Sequence, residues 1–298
     1  PKITESSEPP YVYQENSRNM LFLGNASGGF DEIAHYAMLE SSDWSWSPLF
    51  IDVDLDGFQD LLVTNGFSYD LENPDIIRKL SNRAIAYANR NNGTIGYINE
   101  KAFEASRTRN DPNCAFKNNR DLTFTDVSKD WNFNFSGVSH GACLADLDND
   151  GDEDVLVNNF SLYIPEKVLL GEVLPKIQPS NPSAGIYRNI SSKPRIRVQV
   201  ALNAGNTHGI GTTIHFTQDG SRQTKQIRSG SRYCSSDQPA VTFAYKLGSK
   251  SNVIDVVLAR KRYSFRDILP NRLYQVTDSD LIEGNSIPLN KNPAIRKK

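Results

Sequence analysis

Cysteine is scarce in this chain of 298 residues: Cys114, Cys143 and Cys234 make an odd count with no CxxC spacing. That argues against a dense disulfide framework and against a cysteine-bound zinc. The three thiols read as small buried hydrophobes, and the sequence does not say whether any two pair. Histidine is equally sparse. His35, His140, His208 and His215 form no HExxH pattern and no cluster, so they read as surface or packing residues. No apolar run approaches the roughly 18 residues that span a bilayer, and no charged-then-apolar leader is present. Charge of one sign is lacking too. The 33 basic and 35 acidic residues leave a net charge of −2, without the basic footprint of a nucleic-acid binder. What is present suffices for a core, with 38% hydrophobic and 23% charged residues. At roughly 150 residues per domain, the length suggests about two domains.

The dominant feature is an internal repeat. Shifting the chain by 94 positions aligns residues 19–66 with 113–160 without a gap. Asn19, Phe22, Asn25 and Phe30 meet Asn113, Phe116, Asn119 and Phe124. Asp52, Asp54, Asp56, Gly57 and Asp60 meet Asp146, Asp148, Asp150, Gly151 and Asp154. A partial third start lies near 185, at Gly185-Ile-Tyr187-Arg-Asn189. Each unit reads as short strands, with the acidic loop joining Leu49–Ile51 to Leu61–Val63. Between the units, Asn73-Pro74 offers an N-cap with proline at the first helical position. Ile76, Ile77, Leu80, Ala84, Tyr87 and Ala88 then recur at helical spacing. Residues 70–110 are therefore expected to be a largely helical insertion.

The chemistry sits in the acidic loops. Four carboxylates within nine residues repel one another unless a cation neutralises them. Hard oxygen ligands at alternate positions, with a turn glycine at the sixth, suit Ca²⁺ and its 6–8 oxygens better than the tight octahedron of Mg²⁺. An EF-hand is excluded, since position twelve is Val63 or Val157 instead of Glu and β-type residues flank both loops. The expected ligands are Asp52, Asp54, Asp56, the carbonyl of Phe58, and Asp60, then Asp146, Asp148, Asp150, the carbonyl of Asp152, and Asp154. About two Ca²⁺ sites follow, chiefly stabilising. The bland alternative is a metal-free Asx turn.

Asn-x-x-Phe-x-x-Asn, then Gly-x-Phe or Leu-Thr-Phe, then Asp-x-Asp-x-Asp-Gly-x-x-Asp resembles the FG-GAP or VCBS repeat. That resemblance implies blades of a calcium-bearing β-propeller, as in the head of integrin α chains. A closed propeller has typically 4–8 blades, so two full repeats imply a piece of one. Together with a first residue other than Met, this leads to the expectation of the C-terminal part of a longer secreted protein.

Beyond the Ser/Pro-rich stretch at 178–183 the pattern changes. Arg195–Val200 alternates strictly, Thr213–Phe216 turns at Asp219-Gly220 into Gln223–Ile227, and Val253–Leu258 and Arg272–Val276 read as further strands. This small all-β domain at 195–278 resembles the ASPIC and UnbV domain that ends cartilage-acidic-protein-like chains. Gly205-Asn206-Thr-His-Gly209-Ile-Gly211, Gly230-Ser-Arg-Tyr233-Cys-Ser-Ser236 and Pro270-Asn271-Arg carry the likeness. The family's usual His-Phe-Gly-Leu-Gly is here Thr242-Phe243-Ala-Tyr-Lys-Leu247-Gly248, and its Trp-Pro-x-Gly turn is Ala259-Arg-Lys-Arg262.

Other motifs have plainer readings. Gly137-Val-Ser139-His-Gly141 matches G-x-S-x-G, but a nucleophile elbow needs a strand, a sharp turn and a helix. Arg260-Lys-Arg262 reads as a solvated turn. Trp44 and Trp46 share one strand face and read as packing before a sugar platform. Asn25, Asn92, Asn134, Asn159 and Asn189 satisfy N-x-S/T, without that implying glycosylation. The expected fold class is all-β with a helical insertion. Partial FG-GAP-type β-propeller blades fill 1–190, a small β-sandwich-like domain follows at 195–278, and a polar tail at 279–298 closes the chain. The expected role is a secreted or cell-surface, calcium-binding, non-enzymatic binding or adhesion module. Its partner would be a protein or a glycan, with no nucleic acid and no membrane span. The alternative is an enzyme or accessory protein of secondary metabolism.

Overall fold

In the computed structural model the described residues are 18–67, Arg78, 111–159, 168–169, 172–173, 184–230 and 232–281. The helical insertion expected over 70–110 lies outside them, apart from the helical Arg78. Most of the polar tail lies outside them as well. Nearly everything described is β structure, and the sheets close no barrel among these residues.

The 94-residue repeat becomes a repeat of strands. A short hairpin, β1 (Phe22–Gly24) and β2 (Phe30–Glu32), precedes the small helix α1 (Ala34–Ala37), and β3 (Ser45–Ile51) and β4 (Asp60–Asn65) follow. The second copy gives β5 (Cys114–Asn118), β6 (Phe124–Asp126), β7 (Ser139–Ala145) and β8 (Asp154–Asn159). β3 and β7, and β4 and β8, start and end at equivalent positions. The sheets straddle the repeat boundary, however. β3 and β4 pair with β5 and β6 of the next copy in the order β3-β4-β5-β6. After the ladder of β9 (Val168–Leu169) and β10 (Glu172–Val173), β11 (Gly185–Tyr187) adds to β8 in the order β11-β8-β7. The partial third start at 185 therefore does for the second copy what β5 does for the first.

Alternation decides what each strand buries. In β4 every residue is buried: Leu62 joins Leu49, Ile51, Leu144, Val155 and Val157 in a core between the two sheets, while Leu61 and Val63 pack with Phe116, Phe124 and α1 on the opposite face. The end of β4 passes Gly137 closely. Gly66 has φ +108°, and a Cβ there would lie 2.0 Å from the Gly137 carbonyl oxygen, so only glycine fits.

The C-terminal unit is sandwich-like. β12 (Arg195–Ala201), β15 (Ala240–Ala244) and β18 (Arg272–Thr277) form one sheet, with β12 central and parallel to β18. β13 (Thr213–Gln218), β14 (Ser221–Gln226), β16 (Asn252–Leu258) and β17 (Lys261–Arg266) form the other, in the order β14-β13-β16-β17. Ile196, Val198, Ile214, Phe216, Phe243, Ile254 and Phe265 fill the space between them.

Two strands carry no clear alternation in the sequence. β15 is buried along its whole length, so it shows no polar face. β17 contains the last two residues of the basic triplet, Lys261 and Arg262. Only Ala259 and Arg260, both at positive φ, form the tight turn there, while Arg262 lies in the strand and pairs with Asp255 at 2.6 Å.

The segment between β14 and β15 docks on the exposed edge of β7. Leu144 donates its N–H to Asp237 Oδ1 (2.9 Å) and accepts from the Gln238 N–H (2.8 Å). Ser235 Oγ donates to the Ala142 carbonyl at 2.7 Å, and Arg232 Nη1 to that of Pro48 at 3.1 Å. An edge strand left open invites foreign pairing; here Ser235, Asp237 and Gln238 cover it.

Candidate metal centres

Both acidic loops fold through their own carboxylates. Asp52, at the end of β3, accepts the N–H groups of Asp56 and Gly57, each at 2.9 Å. Asp60, opening β4, accepts that of Val53 at 3.0 Å and that of Asn118 on β5 at 2.9 Å. Leu55 and Gly57 turn the chain at φ +50° and +95°. The second loop repeats this pattern bond for bond. Asp146 accepts from Asp150 (3.0 Å) and Gly151 (3.1 Å), and Asp154 from Leu147 and from Asn189, both at 2.8 Å. Asn149 and Gly151 have φ +59° and +93°. The sequon residue Asn189 is thus part of the fold; its side-chain amide also donates to the Val53 carbonyl at 2.9 Å.

The loops bring Asp52, Asp54 and Asp60 together, and likewise Asp146, Asp148 and Asp154, with one carboxylate oxygen of each within 4.8 Å of the others. Position five is not part of either trio. Asp56 Oδ1 accepts the Phe58 N–H and its Oδ2 accepts Arg120 Nη2 at 2.7 Å. Asp150 accepts the Asp152 N–H at 3.2 Å and pairs with Arg195 Nη2 at 2.8 Å. At position seven the Phe58 ring is exposed, with the Arg120 guanidinium 5.3 Å from its centroid. The Asp152 side chain is fully buried, 3.3 Å from Arg195.

Basic groups already answer part of this charge. Lys117 Nζ lies 2.6 Å from Asp54 Oδ2, and the equivalent Arg188 lies 3.8 Å from Asp148. Lys117 lies in the strand that begins the next copy and Arg188 directly follows the equivalent strand, in an aromatic–basic–Asn triplet at 116–118 and 187–189. That triplet is the signal by which these residues can be found in the sequence. Arg195 and Arg197 have no such marker, because they reach the loop from another domain.

The set fits a hard cation. All donors are oxygens, and Asp54 Oδ1 is buried without a hydrogen bond from the described residues. Burial pushes Asp52 up to about 6 and Asp60 up to about 7, and raises Asp146 and Asp154 as well. A carboxylate raised in the folded state is most favourable protonated. Metal-stripped protein should therefore lose stability as pH rises from about 4 to about 7, and added calcium should abolish that fall by binding the anions. Thermal midpoints of stripped and calcium-loaded protein at pH 5 and 7.5 check this. A stripped midpoint that rises with pH would contradict it.

Ser139 of the G-x-S-x-G stretch lies buried on β7, its Oγ donating to Asn159 Oδ1 at 2.9 Å, and the strand runs into the acidic loop instead of a helix. Trp44 and Trp46 both stack on Phe67, with centroids 4.5 and 5.7 Å apart, and Trp46 also meets His140 and Tyr233.

Residues 11–63 match the FG-GAP-like repeat, and residues 202–282 match ASPIC and UnbV. The chain joins an FG-GAP-like repeat to an ASPIC and UnbV domain. No curated protein matches it. The FG-GAP match ends just beyond the first acidic loop, and the shared hydrogen bonds extend the likeness to the second. Within the ASPIC and UnbV domain some motif residues shape the backbone. Asn206 brackets the backbone of Ile210 through both side-chain atoms. A Cβ on Gly209 would come 2.6 Å from the Val200 side chain. Thr242, where the family usually has His, donates to the Gly151 carbonyl of the second loop at 3.0 Å. No helix among the described residues is long and apolar enough to cross a membrane.

Proposed function

We propose that this chain is an extracellular, non-enzymatic binding module whose FG-GAP-like loops each take one Ca²⁺ to hold neighbouring recognition surfaces in place. The observation that carries this reading is the pair of carboxylate trios, built twice by the same hydrogen bonds. Asp52, Asp54 and Asp60 would hold one ion and Asp146, Asp148 and Asp154 the other; bound there, calcium supplies charge neutralisation and rigidity. Open, oxygen-only loops of this type suit millimolar external calcium. The partner is a protein or a glycan, and the repeats are blades of β-propeller type.

Calorimetric titration of metal-stripped protein should register two equivalents of calcium. Absence of uptake would overturn the reading. A glycan and protein binding screen with and without chelator addresses the partner, and binding indifferent to chelator would count against calcium-organised recognition.

A further inference from the structure

The two loops share their sequence pattern and their internal hydrogen bonds, yet different parts of the molecule answer their charge. In the first loop the cations are Lys117, Lys193 and Arg120, all at the surface; the Arg120 side chain is 56% exposed. Such a side chain rotates into solvent at little cost and frees Asp56 for an incoming ion. In the second loop Arg188, at Asp148, is likewise exposed, but the other cations come from the ASPIC and UnbV domain. Arg195 is only 8% exposed, and its fork is held from every side. Nε donates to the Asp150 carbonyl at 3.0 Å, and Nη1 to the carbonyls of Ser191 (2.9 Å) and Lys193 (3.1 Å). Nη2 meets Asp150 Oδ1 at 2.8 Å and Asp152 Oδ2 at 3.3 Å. Arg197, also buried, lies 3.8 Å from Asp146, and Lys225 lies 3.7 Å from Glu153. The extra acids of the second loop are therefore already matched by cations of the sandwich.

We infer that Arg195 withholds Asp150 from the second loop's ion and makes that loop the weaker calcium site. Releasing Asp150 would strip a buried guanidinium of its closest carboxylate, which is costly because a buried charge needs its partner. The first loop pays no such penalty. The inference rests on the calcium reading above, and the experiment separates the two.

Asp54→Asn disables the first loop and Asp148→Asn the second, and calcium affinity of the remaining loop is read by competition with a chromophoric chelator. The second loop alone should bind on the order of tenfold more weakly than the first, the scale of one charge-assisted hydrogen bond. Arg195→Gln in the second-loop protein should recover about that tenfold. Arg195→Lys should move in the same direction, because it lacks the planar fork, and it serves where Arg195→Gln does not fold. Arg120→Gln in the first-loop protein should change affinity less than about threefold, because the guanidinium itself is largely solvated. Equal affinities of the two loops, or Arg195 variants without effect, would overturn this inference and leave the calcium reading standing. No uptake by either loop would overturn both.

Discussion

Stripping calcium should lower the thermal midpoint by on the order of 10 °C. At about 10 mM calcium, with dissociation constants of about 0.1–1 mM as in extracellular modules, each site contributes about 1.4–2.7 kcal/mol. Two sites give about 3–5 kcal/mol, and a protein of this size shifts by about 2–4 °C per kcal/mol. The carboxylates make the effect large because Asp52 and Asp60 are buried and already raised by that burial. Scanning calorimetry in chelator and in calcium measures it. Asp60→Asn should remove more than half of the calcium increment, since the tighter loop loses a ligand while the weaker one stays intact. A midpoint that ignores calcium would mean that Lys117, Arg120 and Arg195 suffice to neutralise the loops.

Phe243→Ala should cost about 3–5 kcal/mol, the usual range for deleting a buried aromatic ring. Phe243 is fully buried, pairs in register with Ile196 across β15 and β12, and sits 5.9 Å from the Phe216 ring centroid. The loss should extend beyond the sandwich. Neighbouring Thr242 bonds to Gly151 and accepts from Arg197, so collapse at 243 loosens the contact with the second loop. Leu247→Ala, at a side chain 64% exposed, is the control and should stay within about 0.5 kcal/mol. Thermal melts of both variants give the answer, and a Phe243→Ala midpoint matching Leu247→Ala would show that the sandwich core is not organised around this ring.

Where local pattern decides, the sequence is a good guide. The strands on either side of both acidic loops follow from short apolar runs bounded by turn residues, the Asp219-Gly220 hairpin from its turn pair, and β12 from period-two hydrophobicity. The strands it misses have physical reasons. β15 is covered on both faces and shows no alternation; β17 carries its charges on an edge where they remain solvated or paired, as Arg262 does with Asp255. The triplets at 116–118 and 187–189 are readable only once the loops they complete are known, because the start of the following copy supplies them.

By itself the sequence determined the 94-residue repeat, the spacing of the acidic residues and the likeness to FG-GAP and ASPIC and UnbV families, since each is a property of residues near one another in the chain. Tertiary structure alone decided which carboxylates meet, that each sheet borrows strands from the next copy, and that Asp56 faces an exposed arginine while Asp150 faces a buried one. Those outcomes depend on partners such as Arg195, 45 residues from Asp150, and a charge's surroundings are set by the fold and not by the spacing of its own loop.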